Sequence, residues 1–169
     1  MGKTSVAVMV LYHDKDEKEK GIIVKHLSVI KRQDGIDLWE KGLVLAGENP
    51  EQMIQNELDK AEIVLFLVSI ESIDSDKLWK DGVEHSLKRH QQGGLIFIPV
   101  IVRDCQWEQT VLNEFKPLPE DGKPISHWPR PDEPCKQVAD AVKQHVEIIK
   151  DQKRNENKQQ GIIPPEFQE

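Results

Sequence analysis

Short unbroken apolar runs alternate along this chain with stretches whose apolar residues recur at helical spacing. Ser5 to Leu11, SVAVMVL, is apolar almost throughout and predicts a strand covered on both faces. Ile22, Ile23, His26, Leu27 and Ile30 then repeat along one helix face, and Gln33-Asp34-Gly35 ends that helix. Ile36 to Trp39 predicts a short second strand. Asn49-Pro50 opens another helix, with Asn as the cap and Pro at the first helical position; Met53, Ile54 and Leu58 form its inner face. Ile63 to Val68 predicts a fully buried third strand, which leads through small polar and acidic residues into an amphipathic helix carrying Trp79 and Glu84.

Gly93-Gly94 breaks the chain before a fourth strand, Leu95 to Val102, where Pro99 hints at a bulge or a less central place. Arg103 to Gly122 is long and irregular, with one helical turn around Trp107-Glu108, and Pro124 to Trp128 predicts a short edge strand. The last helix begins between Pro131 and Pro134 and runs to about Lys150, with Val138, Ala141, Val142, His145 and Ile149 facing inward. This alternation predicts an α/β fold, a flavodoxin-like three-layer sandwich with a five-stranded parallel sheet in the order 2-1-3-4-5. Ligands bind such sheets just beyond the carboxyl ends of the strands, so a carboxylate soon after Val68 is well placed to act. Leu43, Val44 and Leu45 lie within the Glu40–Asn49 loop; they either fold back on the core or meet a partner or ligand.

Composition adjusts this picture at the ends and the surface. Of the 169 residues 37% are apolar and 31% charged, which puts part of the chain outside the core. Asp151 to Glu169 is almost devoid of apolar residues before Ile162 and reads as a polar linker or disordered tail. The expectation is a domain over residues 1–150 with a tail over 151–169 leading to a sensing or oligomerising module. A net charge of −7, with basic residues interspersed among acids, argues against a broad nucleic-acid surface. Cys105 and Cys135 have no C-x-x-C pattern and build no disulfide framework, which suits a reducing compartment. The sequence opens without a leader pattern and contains no apolar run approaching the ~18 residues of a membrane span. The expected setting is cytoplasmic.

Familiar α/β chemistries fail on motif. The loop after the first strand, Tyr12-His13-Asp14, has no glycine for a dinucleotide fingerprint. Gly2-Lys3-Thr4 has the ending of a P-loop without a strand or glycine loop before it. The third strand ends Val68-Ser69, without the aspartate of a phospho-receiver, and there is no G-x-S-x-G elbow. The six histidines are scattered, with no zinc spacing. His26 and His145 read as structural and His85 as exposed. Trp39 and Trp128 taken alone read as core, and Glu84 taken alone as a solvated helix charge.

Three blocks in order resemble the bacterial Toll/interleukin receptor homology (TIR) domain family. They are VMVLYHDKDE at Val8–Glu17, LWEKGLVLAGENP at Leu38–Pro50, and the strand-and-helix stretch IVLFLVSIES…VEHSLKRH combined with FKPLPEDGKPISHW at Phe115–Trp128. The resemblance covers about Thr4 to Ile149. It implies cleavage of NAD, as substrate and with no cofactor, to nicotinamide and ADP-ribose or a cyclised form. The family's catalytic glutamate matches Glu84. Tyr12 and His13 would border the adenosine or ribose, the Trp39-Glu40-Lys41 segment and Leu45 would line the other wall, and Trp79 would stack on a flat ring. Gly42 and Ala46 depart from the family, where arginine and proline are usual, as does Lys80 in place of an aromatic or cysteine. The resemblance further implies self-association with other TIR domains and a role in prokaryotic anti-phage defence. A TIR scaffold without catalysis, and a binder of nucleotide-derived signals on a similar sheet, are the competing expectations.

Overall fold

The computed structural model describes residues 5–33 and 35–161, with side chains through Gln159. Gly2-Lys3-Thr4 and residues 162–169 of the expected tail lie outside the described residues. Four parallel strands, β1 (Val6–Leu11), β2 (Ile36–Trp39), β3 (Ile63–Val68) and β4 (Ile96–Ile101), lie in the order β2-β1-β3-β4. The helices are α1 (Glu17–Arg32), α2 (Pro50–Lys60), a short α3 (Ile70–Asp74), α4 (His85–Gln91) and α5 (Asp132–Gly161).

Strand periodicity sorts the core into two layers. Val6, Val8, Val10 and Tyr12 face one way, with Ile63, Leu65 and Leu67 beside them, and meet Ile23 and Leu27 of α1 and Val138 and Val142 of α5. Met9 and Leu11, with Val64, Phe66 and Val68, face the other way and meet Leu58 of α2 and Val83 before α4. All six residues of β3 are buried, as its unbroken apolar run requires of a strand sandwiched between helices. The three-layer, flavodoxin-like arrangement expected from the pattern is therefore present.

The fifth strand is not. Ile125–His127 forms a 3₁₀ turn, and the outer edge of β4 is met instead by one parallel bridge between Val100 and Leu118. Leu118 N–H donates to Pro99 O at 2.9 Å, and Leu118 O accepts from Ile101 N–H at 2.7 Å. Pro117, Pro119 and Pro124 remove donors on either side of Leu118, so pairing cannot extend. In this register Pro99 turns its missing N–H toward that edge rather than toward β3, which is where a strand tolerates proline.

The helix after β3 differs from a single amphipathic run. Ser69 caps α3 in a reciprocal pair with Ser72, the helix stops at Asp74, and Leu78–Glu84 forms a π-helical segment that feeds α4. Gly82, within it, lies against β1: a Cβ there would come 3.1 Å from Leu11 Cδ1. At the other end of the chain α5 continues past Lys150, where the expected tail begins, to Gly161. Lys153 in that extension pairs with Glu62 at 2.7 Å, and its lysine, arginine, glutamine and glutamate residues are good helix formers.

Phe66 is fully buried between Phe97, 6.2 Å away, and Trp79, whose ring meets it edge-on at 6.3 Å. Phe66→Ala is expected to cost about 4 kcal/mol in urea denaturation and to shift tryptophan emission to the red. An unchanged emission maximum would mean that Trp79 does not rest on Phe66.

Candidate active site

The chain runs from β1 to β2 on one side and returns to β3 on the other, so the sheet reverses direction between β1 and β3. At such a switch point the departing loops diverge and leave a crevice. A cleft of about 1150 Å³ opens there, large for a small-molecule site, where roughly 300–1,000 Å³ is usual. The end of β1 and its loop form the floor, Trp39 and Lys41 one wall, and Lys80, Asp81 and Glu84 the opposite wall. The first turns of α2, cued by Asn49-Pro50, close a third side with Ile54 and Gln55. Gln55 Nε2 donates to Asp81 O at 3.3 Å, tying that side to the π-helical wall.

Five of the seven residues expected at the site line this cleft: Tyr12, His13, Trp39, Lys41 and Glu84. Leu45 and Trp79 do not. Leu45 is 70% exposed on the loop after β2, and Trp79 is turned into the core against Phe66. Glu84 ends the π-helical segment with its side chain exposed. Among the described residues it forms no ion pair with Lys80 or Lys88, the lysines one turn away on either side. An extra residue in a helical turn of this kind is a recurrent feature of functional sites.

The floor is held by charge. Tyr12 is buried and its hydroxyl donates to Glu40 Oε1 at 3.1 Å. Glu40 Oε2 accepts from the nearly buried Lys20 at 2.7 Å, and Glu40 also accepts from Gly42 N–H. Burial and the charges of Glu40 and Glu17 push the Tyr12 phenol well above its ordinary pKa, so it remains a donor. Lys41 pairs with Asp14 and lies 4.6 Å above the Tyr12 ring, and that pairing holds the Asp14 carboxyl below its usual range. The glycine at 42 has a local reason: a Cβ would lie 2.6 Å from Glu40 Oε1 and push the carboxylate off the backbone it caps. Sequence reasoning placed Glu40 beside Trp39 and Lys41 but missed its pairing with Lys20 and that of Asp14 with Lys41, because the partners lie 20 or more positions apart.

Fold and cleft together define a doubly wound α/β domain with a ligand-sized crevice at its switch point. No family model matches the sequence. Over 138 residues, 82% of this chain, it is 36% identical to protein y4lF of Sinorhizobium fredii (strain NBRC 101917 / NGR234), a protein itself uncharacterized. The chain spans 43% of that relative's length. Among solved structures it is similar to the TIR domain of the Toll-related receptor TRR-2 from Hydra magnipapillata, at 18% identity and a TM-score of 0.46. That likeness covers 64% of this chain and 79% of the receptor domain. It is also similar to the TIR domains of the activated Roq1 resistosome recognizing the effector XopQ, at 15% identity and a TM-score of 0.47, over 80% and 84% of the two chains.

Burial alone would raise the pKa of Glu40, but Lys20, Gly42 N–H and Tyr12 outweigh it and hold the carboxyl below its usual range. A carboxyl more acidic in the fold than in the unfolded chain stabilises above its unfolded pKa, and that gain is lost as pH falls through the folded value. Glu40→Gln is expected to cost about 2 kcal/mol at pH 7. In urea denaturation the gap from wild type narrows as pH falls below about 4. A gap independent of pH would show that the Glu40 charge contributes nothing.

Proposed function

We propose that this chain is a TIR domain that cleaves NAD at the nicotinamide–ribose bond, with Glu84 as the catalytic carboxylate. The observation that carries this reading is the exposed carboxylate of Glu84, which shares one cleft with Tyr12, His13 and Trp39 at the switch point of the sheet. Nicotinamide leaves as a neutral molecule from a cationic precursor, so departure needs no acid. The step that needs help is formation of an oxocarbenium-like ribose, and a carboxylate beneath the ring stabilises that charge. Tyr12 and His13 would border the adenosine or ribose, and Trp39 and Lys41 the facing wall. Water then takes the sugar to ADP-ribose, or an internal nucleophile closes it to a cyclic product. In this proposal NAD is the substrate and no further cofactor takes part.

The setting belongs to the same proposal: a cytoplasmic effector in prokaryotic anti-phage defence, active on self-association and joined through the end of α5 to a sensing or oligomerising module. Among the described residues no helix is long and apolar enough to cross a membrane. The competing reading, a scaffold that only binds other TIR domains, draws on one observation. Leu43 and Leu45 are 53% and 70% exposed on the loop after β2, away from the core they were as readily expected to join.

Nicotinamide release from NAD by concentrated or artificially clustered protein separates the two. Glu84→Gln is expected to lower kcat by about 10²–10³ with little change in KM, because the lost interaction belongs to the transition state. Release that survives this substitution sinks the mechanism, and no release from clustered wild type favours the scaffold. Leu45→Asp is expected to abolish self-association on either reading, and only on the catalytic one does nicotinamide release fall with it.

A further inference from the structure

Asp16 stands at the N-cap position of α1, where an aspartate ordinarily accepts from the first free N–H groups of the helix. Its side chain makes no such bond. It is completely buried, and its two oxygens are directed at residues that follow the two other strands of the sheet's far half. Oδ2 accepts from Ser69 Oγ–H at 2.6 Å, just past β3, and Oδ1 lies 2.5 Å from Nη2 of Arg103, just past β4. Arg103 also reaches Glu71 at 3.2 Å and Glu19 at 3.6 Å, so one guanidinium serves three carboxylates. A planar fork suits that task and a lysine ammonium does not.

The turn before Asp16 carries part of the cleft. Asp16 N–H donates to His13 O at 2.8 Å, and Lys15 N–H donates to His13 Nδ1 at 3.1 Å, so a shift of Asp16 is passed directly to His13 and its neighbour Tyr12. We propose that Arg103 is a positioning residue for the cleft, acting through Asp16 to hold the turn over residues 12–16 that presents Tyr12 and His13. Without Arg103, the buried Asp16 carboxylate would face Glu19 and Glu71 with the Ser69 hydroxyl as its remaining partner. Burial already pushes the Asp16 carboxyl above its usual range, which Ser69 and Arg103 offset only in part. An uncompensated carboxylate turns toward water and takes the turn with it. Arg103 touches no part of the cleft, so its influence runs through the loop and not through substrate.

This inference rests on the proposed function for its kinetic consequence but not for its structural one. Amide hydrogen exchange over residues 12–16 is measured in wild type, Arg103→Ala, Asp16→Asn and the double variant, together with NAD cleavage by clustered protein. Arg103→Ala is expected to speed exchange in the turn and leave β3 protected, and to raise KM for NAD about tenfold with kcat nearly unchanged. A smaller folded fraction would instead lower kcat and leave KM alone. Asp16→Asn keeps an oxygen for Ser69 and removes the buried charge, so in the double variant exchange and KM return toward wild type. If Arg103→Ala fails to fold, Arg103→Lys keeps the charge without the fork, and faster exchange confined to the turn is expected. Unaltered exchange in the turn, or an Arg103 effect that persists in the Asp16→Asn background, overturns the proposal. Absence of nicotinamide release from wild type counts against NAD cleavage alone, since exchange still decides the role of Arg103.

Discussion

The site depends on how β1 ends. Through Val10 and Leu11 the strand alternates its side chains between two apolar layers while pairing in parallel with β2 and β3. At Tyr12 the ring is still buried but its hydroxyl must be satisfied in a region that water scarcely reaches. Glu40 satisfies it and then needs a cation of its own, which Lys20 supplies. One buried phenol thus fixes a chain of partners across the ends of two strands and the first turns of α1, and such a network specifies a geometry as much as it stabilises one.

That network stiffens the floor and one wall of the crevice. The floor and the Trp39 side are pinned by Glu40, Lys20 and the Lys41–Asp14 pair. The opposing wall is a π-helical segment between two short α-helices, packed on β1 through Gly82. Among the described residues its terminal carboxylate, Glu84, forms no ion pair. The crevice thus joins a wall fixed by buried charge to one that presents exposed charges of both signs, Lys80, Asp81 and Glu84.

The layer structure and the cleft position were legible in the sequence because each follows from a local pattern. Unbroken apolar runs gave β1, β3 and β4, and Asn49-Pro50 marked the helix start that closes one side of the crevice. The expected fifth strand failed because β-like composition at Pro124–Trp128 cannot pair between prolines, and Leu118 meets the edge instead. Trp79 was misplaced because a helical wheel cannot foresee a π-helical turn, and there the ring faces Phe66 instead of the crevice. The Asp16–Ser69–Arg103 cluster escaped notice for a different reason. Its members are 53 and 34 positions apart, and nothing local marks Asp16, among the acids of its loop, as the one whose side chain turns away from the helix.

The single bridge at Leu118 has a consequence for how copies of this domain could meet. Backbone pairing between molecules needs an open row of donors and acceptors. On the β4 side the row is interrupted by Pro99 and already engaged by Leu118 at its centre. The other margin, β2, offers four residues with Asp37 exposed among them, too short and too charged to template a continuous ribbon. Growth of this fold into larger assemblies is therefore steered away from strand addition and toward contacts made by side chains of its loops and helices.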